Sequence, residues 1–320
     1  MTSALRHQLK WSTTGVEMNP LLTLNFARPF VHMYNTWRMN RYLNPRLTTR
    51  YNSVIGKQSN PGKSVIDLAL KAYLAENPSP DSIPDTFKDA AIAQIKLFIF
   101  AGHDTTSSAT VFTYDLLSRH PKILARVRAE HDSVFGPDPS DASSLLLSNS
   151  QLLNQLSYTL ATIKEALRIY PTVAALRIGQ PDFSIVSSTG QRFPTANVIV
   201  LGDHYGVHHN PSVWPEPEKF LPERWLVDET DPLYPPKNAW RPFERGPRNC
   251  IGMELAMTEI KIILALTLRT FDLVDAYEEF DTLKGNPKGW NVNGQRTYMV
   301  RGTGGGHPSD GYPCKVTPSK

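Results

Sequence analysis

The stretch F-E-R-G-P-R-N-C-I-G, residues 243–252, carries the strongest signal in the sequence. In it, Cys250 lies between a glycine-containing turn and an apolar segment with helical character. Free backbone N–H groups and the dipole at a helix N-terminus favour a thiolate over a thiol. Gly246 permits a tight turn, and Gly252 leaves space for a flat group against the backbone. The stretch therefore predicts a thiolate that faces a flat ligand.

Arg248, two residues before the cysteine, can pair with a carboxylate on such a ligand. A thiolate ligand to haem iron needs this arrangement, because electron density from sulfur promotes O–O cleavage. A lone cysteine after a turn would more often be a buried, inert residue. Five matched positions in ten residues favour the ligand instead. The segment resembles the haem-binding loop of cytochrome P450 monooxygenases, whose pattern is F-x-x-G-x-R-x-C-x-G.

A second motif, A-G-H-D-T-T at residues 101–106, interrupts an apolar run whose length predicts one buried helix over residues 85 to about 118. Buried polar groups are costly unless they are satisfied or functional. Taken alone, the residues also allow a satisfied buried threonine. The motif resembles the family's oxygen-activation segment. That resemblance implies that Gly102 makes room for dioxygen and that Asp104 and Thr105 organise proton delivery.

Charged residues in two further segments form a third pattern. Glu165 and Arg168 share one face of a helix predicted over 153–170, and P-E-R-W follows at 222–225. Such pairs are common on helix surfaces and are weak signals when taken alone. Together the two segments resemble the family's Glu–Arg–Arg cluster. The resemblance implies that Glu165, Arg168 and Arg224 have a structural role and support the loop that contains Cys250.

The resemblance also assigns residues to the haem itself. Arg177, twelve residues after Glu165, matches a family position that reaches a haem propionate. An exposed strand arginine is the alternative interpretation. The segment H-H-N-P-S-V-W at 208–214 resembles a structural segment of the family. The implied haem contacts are Arg177, Arg248, Phe243 and Gly252, with Cys250 as the iron ligand.

Three histidines raise a different possibility, a zinc site. His204 and His208 are spaced as ligands on one helix face, with His209 beside them. No H-E-x-x-H pattern is present, and Pro211 with neighbouring glycines argues against a helix. The sequence therefore favours a loop without a metal at this place.

Composition and charge exclude several classes of protein. The 320 residues are 40% hydrophobic and 20% charged, which excludes a disordered or collagen-like chain. A formal net charge of +4 is too small to imply a nucleic-acid partner. Cys250 and Cys314 cannot form a disulfide framework, so a reducing compartment is expected. The chain shows neither a secretory signal nor a membrane span of about eighteen apolar residues.

The pattern predicts a mainly α protein with a small β part. The expected elements are helices over 85–118, 121–135 and 153–170, a helical apolar segment at 251–271, a strand pair around Thr189–Gly190, and a proline-rich loop over 211–247. The resemblance covers roughly residues 84–320. It implies the cytochrome P450 fold in one catalytic domain, 1–320, with substrate-lid or linker helices at 1–83 and the haem-binding core at 84–320.

The resemblance places the start of this chain in the middle of the family's sequence. The N-terminal membrane anchor, most of the β-rich subdomain and the first helices are therefore expected to be absent. Two alternatives to an active monooxygenase stay open. One is a non-catalytic relative, and the other is a haem-thiolate isomerase or dehydratase that needs no dioxygen. The pair Asp104–Thr105 argues against the second.

The implied activity is that of a haem-thiolate monooxygenase, which inserts one oxygen atom of dioxygen into an apolar small molecule, in secondary metabolism. The implied cofactor is haem b, with electrons from NADPH through NADPH–cytochrome P450 reductase. The resemblance implies a location at the cytosolic face of the endoplasmic reticulum membrane. An apolar pocket is implied by residues beside the motifs: Phe98, Phe100, Val173 and Ala174.

Overall fold

The computed structural model describes residues 3–4, 7–8, 26–55, 62, 64–77, 83–285, 296, 298–300 and 306–319. The chain divides into two compact units, Met1–Asp104 and Thr105–Lys320. The predicted fold class, mainly α with a small β part, is confirmed. The predicted organisation into lid helices and haem-binding core stays a prediction, and part of the lid region, 9–25, lies outside the described residues.

The first unit contains α1 (Arg28–Ile55), α2 (Val65–Glu76) and the first part of α3 (Asp85–Arg119). Apolar side chains from these helices and the segment before α3 form one cluster: Leu43, Leu47, Tyr51, Leu70, Ile83 and Ile92. The sequence of α1 shows no clear helical period of apolar residues, because large aromatic side chains such as Tyr34 and Trp37 lie on the exposed side of this helix.

The predicted bounds of α3 are confirmed, but its predicted burial is wrong in the middle of the helix. Leu97 and Phe98 are 55% and 41% exposed. The buried part lies further along, where Ala109, Phe112 and Leu117 join the core of the second unit. Apolar composition alone does not bury a helix segment, because burial depends on the partners it meets.

The core of the second unit surrounds α6 (Ser157–Ile169), where ten of thirteen residues are buried. Helices α4 (Pro121–Phe135) and α8 (Met253–Thr267) pack against it, and α5 (Asp141–Ser148) contacts both of these helices. The predicted bounds of α4 are confirmed. Pro121 begins that helix because its fixed φ suits the first helical position, where its missing N–H costs nothing.

Two helix predictions are corrected. The helix predicted from residue 153 begins only at Ser157, because a 3-10 helix, Ser150–Gln155, precedes it. The region where Pro211 argued against a helix contains a short one, α7 (His204–His208). Asp203 caps α7, since its Oδ1 accepts the backbone N–H of Gly206 at 3.0 Å.

The described strands form two-stranded antiparallel ladders. The predicted pair around Thr189–Gly190 is confirmed as β2 with β3. The proline-rich segment 211–247 is a loop apart from a 3-10 turn at Pro222–Trp225, as predicted. The pairs are β1 (Ala175–Ile178) with β4 (Ile199–Gly202), β2 (Ser184–Val186) with β3 (Arg192–Pro194), β5 (Phe271–Asp275) with β8 (Cys314–Pro318), and β6 (Tyr298–Val300) with β7 (Gly306–Pro308). The last helix, α9 (Tyr277–Lys284), follows β5.

Candidate functional site

Cys250 lies in a tight loop, residues 241–252, that leads into α8 and is called the cysteine loop. Its backbone N–H donates to the carbonyl of Phe243 at 2.8 Å, and the N–H of Asn249 donates to the carbonyl of Gly246 at 3.1 Å. Gly246 has φ 82°, a conformation that strongly favours glycine. Cys250 is exposed, and a Cβ placed at Gly252 would meet, among the described atoms, the Cys250 Sγ at 3.8 Å and nothing else within 4 Å. The loop presents the thiol beside open space.

A row of aromatic rings connects this loop to α6. Ring centroids are 5.8 Å apart between Phe243 and Trp240, 5.6 Å between Trp240 and Trp225, and 5.9 Å between Trp225 and Trp214. The Nε1 of Trp240 donates to the carbonyl of Lys164 on α6 at 3.1 Å. These rings hold the start of the cysteine loop against the central helix.

The structure brings Glu165, Arg168 and Arg224 together, each with a fully buried side chain. Arg168 donates to both oxygens of Glu165, from Nη2 to Oε1 at 2.8 Å and from Nε to Oε2 at 3.0 Å. Oε1 also accepts the Nε of Arg224 at 3.0 Å and the N–H of Leu221 at 3.2 Å, and Oε2 accepts the Nε1 of Trp225 at 3.0 Å. In this Glu165 cluster each carboxylate oxygen of Glu165 accepts at least two hydrogen bonds, which offset the cost of burying the charge.

The two arginines of the Glu165 cluster also fasten the proline-rich loop. Arg168 donates to the carbonyl of His208 at 2.8 Å, and Arg224 donates to the carbonyl of Pro215 at 3.2 Å. The ring of Trp214 lies 5.4 Å from the Arg168 guanidinium carbon and 5.7 Å from that of Arg224, as in cation–π pairs. The loop is therefore held to α6 by charge-assisted hydrogen bonds and an aromatic contact.

His208 joins the Glu165 cluster to the cysteine loop. Its Nε2 accepts the backbone N–H of Arg241 at 3.0 Å, and its Nδ1 donates to the carbonyl of Arg168 at 3.0 Å. Burial and then the neighbouring charges of His204 and Arg168 lower the pKa of His208 to about 3. The ring is therefore neutral, with its proton on Nδ1.

The residues of the second motif lie on one continuous helix, α3. Gly102 is exposed, and no described atom lies within 4 Å of a Cβ built on it. Asp104 and Thr105 are half-buried, and Thr106 is buried. The roles of Gly102, Asp104 and Thr105 in oxygen activation stay predictions.

The two arginines expected at the propionates are both exposed. Arg177 lies on β1, where its side chain is 47% exposed. Its Nη1 donates to the carbonyl of Leu176 at 2.9 Å, and its Nη2 lies 3.4 Å from Oε2 of Glu244. Arg248 is exposed in the cysteine loop. Both guanidinium groups remain accessible to a ligand.

Sequence reasoning missed the contact between Glu244 and His204, of which only His204 was considered, as a zinc ligand. Glu244 accepts two hydrogen bonds from Arg241, at 3.0 and 3.1 Å, and one from Nε2 of His204 at 2.9 Å. With Arg177 these residues form the Glu244 cluster. The hydrogen bonds of Arg241, and then of His204, lower the pKa of Glu244 to about 2. The Arg241–Glu244 spacing of three residues was the one signal present in the sequence.

The residues of the cysteine loop fit a haem. The exposed Cys250 thiol can reach an iron, the space beside Gly252 admits a flat ring, and Arg177 and Arg248 can meet carboxylates. The histidines considered for zinc are engaged otherwise. His208 bonds the backbone of Arg168 and Arg241 as above, and His204 bonds Glu244 and, at 2.7 Å, the carbonyl of Val173.

Comparison with known proteins agrees with this fit. The family model described as Cytochrome P450 matches residues 13–289. The chain is 51% identical to Cytochrome P450 monooxygenase polC of Polytolypa hystricis, over 99% of this chain and 57% of that protein. It is 34% identical to Cytochrome P450 monooxygenase acrF of Aspergillus aculeatus, over 88% of this chain and 58% of that protein. It is 40% identical to Cytochrome P450 4A10 of Rattus norvegicus, over 66% of this chain and 38% of that protein.

The chain thus spans somewhat more than half the length of polC and acrF, and a smaller share of the rat protein. Among the described helices, none has the length and apolar character needed to cross a membrane.

Proposed function

The chain belongs to the cytochrome P450 family, and on that premise we propose that it acts as a haem-thiolate monooxygenase, inserting one oxygen atom of dioxygen into an apolar small molecule. The Cys250 loop is the observation that carries the proposal, because it presents an exposed thiol beside open space and the accessible Arg248, and because Arg177 on β1 contacts the loop through Glu244. A bound haem supplies the oxygen chemistry, and the protein supplies orientation and proton delivery.

The cysteine loop and its neighbours hold the haem in this proposal. Cys250 provides the thiolate, and Phe243 and Gly252 bound the space for the ring. Arg177 and Arg248 pair with the two propionates through charge-assisted hydrogen bonds. The Glu165 cluster keeps the loop in place through His208 and the aromatic row.

Helix α3 supplies the proton path. Asp104 and Thr105 hold and pass a proton toward the reacting oxygen, and Gly102 leaves space beside them. Open space around Gly102 and the half-buried position of Asp104 and Thr105 support this assignment. A haem-thiolate isomerase would not need such a pair.

The substrate, electron source and location follow from the same proposal. An apolar substrate is supported by apolar side chains near the motifs: Phe98, Phe100, Val173 and Ala174. Electrons come from NADPH through NADPH–cytochrome P450 reductase, at the cytosolic face of the endoplasmic reticulum membrane. Fungal relatives at 51% and 34% identity favour a role in fungal secondary metabolism.

The test is the absorbance spectrum of the purified chain with haem, reduced and bound to carbon monoxide. We expect the red-shifted Soret band of thiolate ligation, its loss in Cys250→Ser, and its retention in the matched control Cys314→Ser. NADPH- and reductase-dependent dioxygen consumption with an oxidised product completes the assignment. A thiolate spectrum in Cys250→Ser, or no haem bound by the parent chain, would refute it.

A further inference from the structure

Glu244 occupies a variable position of the stretch 243–252 and was assigned no role from the sequence, yet its carboxylate connects three segments of the chain. Glu244 and Arg241 belong to the cysteine loop, His204 begins α7, and Arg177 lies on β1. The Glu244 carboxylate accepts hydrogen bonds from all three partners. It is the point at which the cysteine loop, α7 and β1 meet.

We propose that Glu244 and His204 are positioning residues that aim Arg177 at a haem propionate. The proposal rests on the haem-binding function proposed above, and it concerns how the chain prepares the site. Neither residue contacts the haem; each acts through Arg177.

The backbone of Glu244 supports a specific role for its side chain. Glu244 has φ 59°, in the left-handed region that favours glycine. Such a conformation persists in a non-glycine residue only where the surroundings determine it strongly. At this position the surroundings are Arg241, His204 and Arg177, which all donate to the carboxylate.

His204 extends the reach of Glu244 to the other end of the segment that bears Arg177. Its Nε2 donates to Glu244 at 2.9 Å, and its Nδ1 donates to the carbonyl of Val173 at 2.7 Å. Both ring nitrogens of the 4% exposed His204 are thereby engaged, one by the Glu244 carboxylate and one by the Val173 carbonyl. Glu244 thereby holds residues 173–177 at both ends, at Val173 through His204 and at Arg177 directly.

Arg177 is oriented by these contacts and keeps N–H donors available. One N–H group donates to the carbonyl of Leu176, a second reaches Glu244, and the side chain is 47% exposed. Guanidinium has five N–H donors, so donors remain for a ligand carboxylate. The cluster sets two arginines against one carboxylate, and this excess of positive charge complements a haem propionate.

The test compares haem with haem dimethyl ester, whose propionates are uncharged, as titrants of the apoprotein. In Glu244→Gln we expect the Kd for haem to rise about tenfold, while the Kd for the ester stays within twofold of the parent chain. The matched control is Glu279→Gln, which breaks a pair with Lys315 on the exposed surface and should change neither Kd. Equal weakening of haem and ester would show a merely structural role and overturn the proposal.

A second variant, Arg177→Ala, measures the role of Arg177 by itself, and the double variant measures its coupling to Glu244. Arg177→Ala should show the same loss for haem alone, and adding Glu244→Gln to it should weaken haem binding no further, because both changes remove one interaction. Additive losses would contradict the proposal. A parent chain that binds neither titrant refutes the haem function itself, whereas a parent chain that binds both, with variants that do not discriminate, refutes the positioning role alone.

Discussion

Two glutamates of the second unit, Glu165 and Glu244, each accept hydrogen bonds from two arginines and one ring N–H, yet they lie in different surroundings. The partners are Arg168, Arg224 and Trp225 for Glu165, and Arg241, Arg177 and His204 for Glu244. In the Glu165 cluster the glutamate and both arginines are 0% exposed, whereas in the Glu244 cluster exposure is 18% for the glutamate and 33% and 47% for the arginines.

This difference in exposure indicates that the Glu165 cluster stabilises the fold, whereas the Glu244 cluster positions residues of a site. In the Glu165 cluster the guanidinium groups also bond loop carbonyls, so the cluster joins α6 to the proline-rich loop. In the Glu244 cluster donors still reach solvent. Removing a partner should therefore cost stability in the first cluster and ligand affinity in the second.

The largest effect is expected for Arg168→Ala. It leaves the buried Glu165 carboxylate without its bidentate partner, which should lower the free energy of unfolding by about 3–5 kcal/mol. Denaturant unfolding measures this, with Arg126→Ala as the control, because the exposed Arg126–Glu223 pair should contribute no more than about 1 kcal/mol. We also expect no haem incorporation, so soluble, haem-loaded Arg168→Ala protein would contradict the role of the cluster.

A smaller loss is expected for Trp225→Phe, which removes one N–H donor from the charged Glu165 and keeps an aromatic ring. A hydrogen bond to a charged group typically contributes about 1.5–3 kcal/mol. Trp240→Phe is the matched control, because it removes a hydrogen bond to the neutral carbonyl of Lys164, for which about 1 kcal/mol is expected. Equal losses in the two variants would show that the hydrogen bond from Trp225 gains nothing from the negative charge of Glu165.

Acid should weaken the buried cluster through His208. The folded-state pKa is about 3, below the ordinary 6.5, so the unfolded chain takes up a proton first as the pH falls. This contribution is complete above pH 6.5 and is lost toward pH 3, at a slope of about 1.4 kcal/mol for each pH unit.

Unfolding free energies measured across this pH range test the assignment. His208→Gln should flatten the slope by about one proton. Burial lowers the pKa of His131 to about 4, so a residual slope should persist in His208→Gln. An unchanged slope in that variant would show that His208 is not the group that titrates.

The smallest effect on stability is expected for Arg177→Ala, which replaces an arginine by alanine as Arg168→Ala does. Arg177 is half-exposed and its contact with Glu244 is long, at 3.4 Å, so the free energy of unfolding should fall by less than about 1 kcal/mol. Thermal unfolding of the apoprotein measures this loss. A loss as large as that of Arg168→Ala would erase the distinction between the two clusters.

Much of the helical framework was predictable, because its ends are marked by local signals. Pro84 precedes α3, and His120–Pro121 separates it from α4, so both helices have the predicted bounds. Less local features were missed. The aromatic and basic surface of α1 hid its period, and the side-chain cap of Asp203 allowed α7 to form close to Pro211.

The candidate site divides in the same way. The motifs that contain Cys250, Glu165 and Arg224 were recognisable because their residue types and short spacings are specific. The contact between Glu244 and His204 was not, since the two residues are forty positions apart, Glu244 occupies a variable position of its motif and His204 belongs to none. A hydrogen bond between distant residues depends on how the chain folds back, which spacing alone does not encode.

The sequence by itself determined the cysteine loop, the order of the motifs around it and, through them, the family and the expected haem, because these depend on residues close together along the chain. Only the tertiary structure decided which charges are matched and which stay accessible. Arg224 meets Glu165 across 59 positions and is buried there, whereas Arg177 meets Glu244 across 67 positions and keeps donors toward solvent. Burial and hydrogen-bond partners arise when distant segments pack together, and they separate a structural arginine from one available to a ligand.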